Sequence, residues 1–179
     1  KSELHRLIEY TKRFAPTTKE YQILKMYQFS CFCGLRFSDA MDLEWRHIDF
    51  QNNLIRKIMI KTKTEVITPL FPMACEILLE KIRHKAIKDT DKIFYQYAEP
   101  TVNQTLRKQT RLAGIDKHIT YHSSRHTFTL LVMDGVDIYK ISKYLGHKSV
   151  NMTQRYLKYD LSIANESAKD ISTFSGNNE

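Results

Sequence analysis

Apolar residues recur at intervals of three and four through most of this chain, and the breaks in that rhythm fall at glycine or proline. Between Ser2 and Phe14 the period places Leu4, Leu7 and Ile8 on one helical face. A second helix is predicted after Pro16, because Thr17 and Glu20 have capping-box spacing and Tyr21, Leu24, Tyr27, Gln28 and Cys31 follow at helical intervals. Gly34, which tolerates the left-handed conformation, is its predicted terminator. Ser38 reads as the cap of a short helix through Leu43. From Trp45 the period shortens. His47 to Phe50, Leu54 to Ile60 and Glu65 to Leu70 are rich in β-branched residues, with Gln51-Asn52-Asn53 and a Lys/Thr run between them, which predicts a three-stranded antiparallel meander. Helical spacing resumes at Pro72, with Met73, Ile77, Leu78 and Ile82 expected to face inward. Further helices are predicted from about Pro100 to Gly114, Ser123 to Asp134, Asp137 to Leu145 and Val150 to Tyr159. The fold class that follows is α+β, mainly helical with a small three-stranded antiparallel sheet on one edge.

Composition narrows the picture. A chain of 179 residues corresponds to one domain and buries roughly 70% of its unfolded surface, enough for a core without staples. Five Gly and four Pro against 42% hydrophobic residues exclude disorder, collagen and turn-rich all-β folds. No stretch approaches the roughly 20 apolar residues of a membrane span, and Lys1 to Tyr10 lacks the apolar block of a signal peptide. The expectation is a soluble cytoplasmic protein with no membrane partner. Cys31, Cys33 and Cys75 lack the paired spacing of zinc or redox motifs and read as core thiols. Charge adds more: 28 Lys+Arg against 20 Asp+Glu give +8, and a pI of about 9.3 points to a polyanionic partner. Charge alone separates neither DNA from RNA nor catalysis from binding.

Four segments stand out: Gly34-Leu35-Arg36-Phe37-Ser38-Asp39, the turn Lys61-Thr62-Lys63, the run His122-Ser123-Ser124-Arg125-His126-Thr127-Phe128, and Leu145-Gly146-His147 followed nine residues on by Tyr156. In this order and spacing, from about Thr18 to Asp160, the chain resembles the catalytic domain of tyrosine recombinases, the phage-type integrases. The resemblance implies DNA strand breakage and rejoining through a covalent 3′-phosphotyrosyl intermediate, without metal or nucleotide cofactor. Residue chemistry suits that demand independently. A phosphodiester repels nucleophiles and gathers further charge on its non-bridging oxygens at the transition state, so fixed cations must sit there. Guanidinium groups stay charged and grip phosphate oxygens with paired donors.

By that resemblance Arg36 and Arg125 bracket the phosphate, with Asp39 orienting the local structure. His122, one helical turn from Arg125, donates to the phosphate or exchanges a proton. His126 falls to packing or support, and His147 after Gly146 becomes a second phosphate hydrogen-bonding group. Tyr156 is the nucleophile, with Tyr159 its rival; an unperturbed phenol of pKa about 10 needs assistance to attack. Lys61, counted back from Pro69-Leu70, would protonate the leaving 5′ oxygen, with Lys63 touching a DNA phosphate, although Lys63 stands where a glycine often follows the Lys-Thr pair and Thr68 replaces a usual aliphatic residue.

Arg107, Lys108 and Arg111 are expected to grip the DNA backbone from a helix. Residues 1–160 would form the catalytic domain and 161–179 a tail docking on a neighbouring protomer, with four protomers on two duplexes in bacteria or their mobile elements. The N-terminal DNA-clamping domain of full recombinases has no counterpart before Lys1, so a catalytic fragment is expected. Competing readings are a non-catalytic DNA-binding regulator of the same descent, a type IB topoisomerase-like enzyme, and a metal nuclease built on Asp39, Asp42 and Glu44. Local capping or solvation is the plainer account of those three acids.

Overall fold

The computed structural model describes residues 2–82, 87–133, 135–147 and 149–154. Seven helices and three strands are described: α1 (Ser2–Thr11), α2 (Lys19–Cys33), α3 (Phe37–Met41), β1 (Ile48–Asp49), β2 (Leu54–Ile58), β3 (Glu65–Pro69), α4 (Pro72–Ile82), α5 (Glu99–Leu112), α6 (Ser123–Val132) and α7 (Ile138–Tyr144). Residues 150–154 begin a further helix. The α+β expectation holds.

Helix α2 is the axis of the fold. Its apolar residues cover almost the whole circumference, with Ile23, Leu24, Met26, Tyr27, Phe29, Cys31 and Cys33 all buried, so it must be packed on several sides at once. α1, α4, α5 and α6 supply those sides. Its N-cap is Thr18, whose hydroxyl accepts from Tyr21 N–H, rather than the expected Thr17. Thr18 Oγ1 also donates to Ala15 O, and the two bonds fix the helix start one residue later. α1 stops at Thr11, short of the expected Phe14, where the Thr11 hydroxyl turns back to Leu7 O.

The strands pair in the order β1-β2-β3, antiparallel throughout, with Leu54 opposite Pro69 and Ile58 opposite Glu65. β1 is shorter than expected because His47 ends a 3-10 turn (Trp45–His47), its Nδ1 accepting from Glu44 N–H. Alternation along β2 buries Ile55 and Lys57 and exposes Arg56 and Ile58. β3 packs against α7, and Thr68 Oγ1 donates to Tyr144 O at 3.2 Å. The fully buried Thr68, unusual for its place in the motif, thus satisfies a carbonyl near the end of α7. α4 presents Ala74, Ile77 and Leu78 to the core while Met73 is 38% exposed, because a helix starting at Pro72 turns its second residue outward. A second small cluster, Phe128, Val132, Ile141 and Leu145, joins α6 to α7. Cys31 and Cys33 are buried thiols, and burial pushes Cys33 up to about 12.

Candidate active site

The site begins where α2 ends. Gly34 takes φ 69°, and its N–H donates to Ser30 O. A Cβ there would lie 2.7 Å from the Phe128 ring and 2.9 Å from Leu145, so both the backbone turn and the close approach of α6 and α7 require glycine. Two residues later Arg36 occupies the N-cap of α3 in extended backbone and makes no capping bond with its side chain. Ser38, expected as that cap, lies inside the helix instead, because the chain passes from the Gly34 turn almost directly into α3.

Asp39 is completely buried and joins α3 to the β2–β3 turn. Its Oδ1 accepts from Ile60 N–H at 2.8 Å, and its Oδ2 lies 4.0 Å from Arg36 Nη1. Arg36 Nη1 is itself buried and has no hydrogen-bond partner among the described residues. A guanidinium nitrogen in that condition is a buried donor still short of a hydrogen-bond acceptor. Lys61 follows Ile60 in a turn closed by Met59 N–H to Thr64 O and Lys63 N–H to Met59 O, each 2.9 Å. Lys63 has φ 55°, a conformation glycine adopts without strain, which accounts for the glycine usual at that place.

His122 precedes α6, held by a bond from Tyr121 N–H to Asn103 Oδ1 at 2.7 Å. Arg36, Lys61, His122 and Arg125 line one cavity of about 270 Å³, completed by Phe37, Ser38, Glu99 and Tyr121. Arg125 is 1% exposed and clamps three segments: Nη1 donates to Gly34 O at 2.5 Å, and Nη2 donates to Leu145 O at 2.8 Å and to His147 Nε2 at 3.1 Å. Since guanidinium only donates, His147 Nε2 accepts, and its Nδ1–H donates to the buried Thr153 hydroxyl at 2.8 Å. Burial, then Arg125, Arg36 and His122, hold His147 down to about 4, which agrees with a neutral ring. His122 is also held below the ordinary histidine value, by burial first and then by Arg125 and Arg36, with Lys61 adding to the effect and Glu99 opposing it. His126 meets His122 edge-on, ring centroids 5.7 Å apart, and is depressed by burial and by His122 and Arg125.

The structure therefore brings together Arg36, Lys61, His122 and Arg125 and reaches His147 through Arg125. Lys63 does not line the cavity. Arg107, Lys108 and Arg111 sit exposed on α5, which begins at the cavity with Glu99. Tyr156, Tyr159 and the tail 161–179 lie outside the described residues. The three acids of the nuclease reading are bound by protein cations: Asp42 pairs with Lys57 and Lys92 at 2.6 Å each, Glu44 with Lys92 at 2.7 Å and Arg46 at 2.6 Å. Asp42 is held at about 2 by those lysines against an opposing effect of burial. Sequence reasoning missed Glu99, Asn103 and Thr153. The signal available for them was slight, because each acts through contacts that only packing creates.

The phage integrase family description matches residues 1–161 of this sequence. The chain belongs to the phage integrase family. A tyrosine recombinase of Pseudothermotoga lettingae is 31% identical over 160 residues, covering 87% of this chain and 54% of that protein. The crystal structure of XerA recombinase superposes with a TM-score of 0.68 at 27% identity, over 87% of this chain and 56% of that one. XerH site-specific recombinase, solved with palindromic difH substrate in a post-cleavage complex, shares the fold with a TM-score of 0.67 at 21% identity, over 93% of this chain and 51% of that one. This phage integrase family chain spans about half the length of the relatives it matches.

Proposed function

We propose that the protein breaks and rejoins double-stranded DNA as a site-specific tyrosine recombinase. The observation that carries this reading is the convergence of Arg36, Lys61, His122 and Arg125 on one cavity in which Arg36 Nη1 is buried without an acceptor. A phosphodiester oxygen supplies that acceptor. Membership of the phage integrase family and the DNA-bound state of XerH support the choice of substrate.

In the proposed reaction the Tyr156 phenol oxygen attacks the phosphorus while the bond to the 5′ oxygen breaks. The arginines take up the charge that grows on the non-bridging oxygens. His122, whose imidazolium is disfavoured by burial first and then by the surrounding cations, accepts a proton near the attacking group or donates through its ring N–H. Lys61 delivers a proton to the leaving 5′ oxygen from a turn fastened to α3 by Asp39. A 5′ hydroxyl of the exchanging strand then attacks the phosphotyrosine and releases Tyr156. Side chains supply all the charge this chemistry needs, so neither metal nor nucleotide enters the scheme. When an anionic oxygen takes over Arg125 Nη2, His147 joins the phosphate ligands as its Nε2–H tautomer, with Nδ1 then accepting from the Thr153 hydroxyl. Residues 1–160 form the catalytic unit, Arg107, Lys108, Arg111 and Lys63 hold the DNA backbone, and 161–179 docks on a neighbouring protomer in a tetramer on two duplexes of a bacterial or mobile-element system.

A nicked suicide substrate incubated in EDTA tests the reading. Covalent protein–DNA adduct is expected after denaturation, and it should vanish in Tyr156→Phe. Cleaved free ends that require Mg²⁺ would establish a nuclease instead, and binding with no cleavage a regulator.

A further inference from the structure

The cavity that gathers Arg36, Lys61, His122 and Arg125 has one acidic wall residue, Glu99. An acid at the first position of α5 complements the helix dipole on any protein surface, and that alone would need no further account. Three observations give it another task. Its carboxylate makes no ion pair with a described residue, although four groups that carry or develop positive charge share its cavity. It acts on His122 through space, opposing Arg125, Arg36 and Lys61. Finally, Asn103, one helical turn along the same face, accepts from Tyr121 N–H at 2.7 Å, which fastens the N-terminal part of α5 beside His122 with the exposed Glu99 at the cavity rim.

A phosphate entering this space meets the arginines and also meets a like charge. We infer that Glu99 is a selectivity residue: its carboxylate holds down the affinity of the cavity for phosphodiesters at large, so that stable capture depends on contacts made elsewhere along the duplex. The inference rests on the reading of the cavity as a phosphate site. It assigns Glu99 a positioning role toward His122 as well, since of the charged groups facing that ring, Arg125, Arg36 and Lys61 disfavour the imidazolium and Glu99 favours it, while His126 meets the ring edge-on.

The test uses the intact protein and a random-sequence duplex of about 30 base pairs, with affinity measured from low to moderate salt. Glu99→Gln should bind about tenfold tighter at 0.1 M salt, the size expected when one like charge is removed at the edge of a binding site. Its plot of log affinity against log salt should steepen by up to about 0.9, one phosphate's worth of counterion release. Glu99→Asp should restore the original slope, and the His122 titration midpoint, followed by NMR, should fall in Glu99→Gln alone. Unchanged slope and midpoint in a folded Glu99→Gln protein would overturn the inference, as would weaker binding at constant slope, the mark of a helix cap alone. Arg36→Ala separates the two readings. Adduct formation on the suicide substrate unaffected by Arg36→Ala would remove the phosphate site itself. Loss of adduct in Arg36→Ala with no response in Glu99→Gln would remove only the role of Glu99.

Discussion

Asp39 carries no obvious chemistry, yet the structure makes it the joint between the arginine and the lysine of the proposed reaction. Replacing it by Ala removes the acceptor of Ile60 N–H and the carboxylate 4.0 Å from Arg36 Nη1. A hydrogen bond to a charged group contributes about 1.5–3 kcal/mol. Two unit charges at 4 Å in a medium of effective dielectric 20 attract by about 4 kcal/mol, and Arg36, with 18% of its side chain exposed, retains a fraction of that after solvation. We expect Asp39→Ala to lose about 3 kcal/mol of stability in urea unfolding. Cleavage should fall by about 10²-fold in single-turnover assays, because a turn that drifts by an ångström misplaces the Lys61 amine. A substrate whose leaving 5′ oxygen is replaced by sulfur isolates the cause. A thiolate leaves without a proton, having a pKa of about 8.5, so the substitution should restore at least tenfold of the lost rate if the defect lies in Lys61. Asp39→Asn, which keeps an oxygen for Ile60 N–H, should show the smaller proton-delivery defect of the two variants. Equal defects on oxygen and sulfur substrates would refute the coupling between Asp39 and the lysine turn and leave Asp39 acting on Arg36 alone.

Other expectations follow from the same geometry. Lys63→Gly should raise stability by about 1 kcal/mol, since φ 55° strains a lysine but not a glycine, and should leave proton delivery intact; loss of the leaving-group step would show Lys63 to be the acid. The depressed pKa of His147, about 4 when folded against about 6.5 unfolded, means that the folded protein binds fewer protons. Its contribution is complete above about pH 6.5 and is lost as pH falls toward 4, so His147→Gln should flatten the decline of urea midpoints across that window; an unchanged decline would deny the effect. Removing Arg107, Lys108 or Arg111 singly should weaken binding to all duplexes alike and reduce the salt slope by about 1, and an unaltered slope would take that residue out of the DNA contact.

Local signals account for most of the architecture. Gly34, Pro72 and Gly114 punctuate the helices where chain stereochemistry requires it, and β-branched alternation over 54–58 and 65–69 announces the hairpin. Helix caps were less legible: Thr18 displaced Thr17, and Arg36 rather than Ser38 stands at the start of α3, because each depends on a choice among neighbouring residues with similar propensity. The motif residues Arg36, Lys61, His122 and Arg125 are legible from the type and spacing that carry the family resemblance, and the fold places all four on one cavity.

What the chain order could not contain is the set of distances between those motifs. Periodicity and propensity are local quantities, so they determined where helices and strands lie and which residues bear charge. The ties that make a site cross large separations: Arg125 to Gly34 O, Asp39 to Ile60 N–H, Asn103 to Tyr121 N–H. Those bonds exist only after α2 has been enclosed and α6 and α7 have closed upon Gly34. Tertiary packing therefore decided that Arg125 is a structural clamp as well as a phosphate candidate, that Lys61 rather than Lys63 faces the cavity, and that Glu99 stands among cations. Each of these is a long-range electrostatic fact, and residue order specifies such facts only through the folded core.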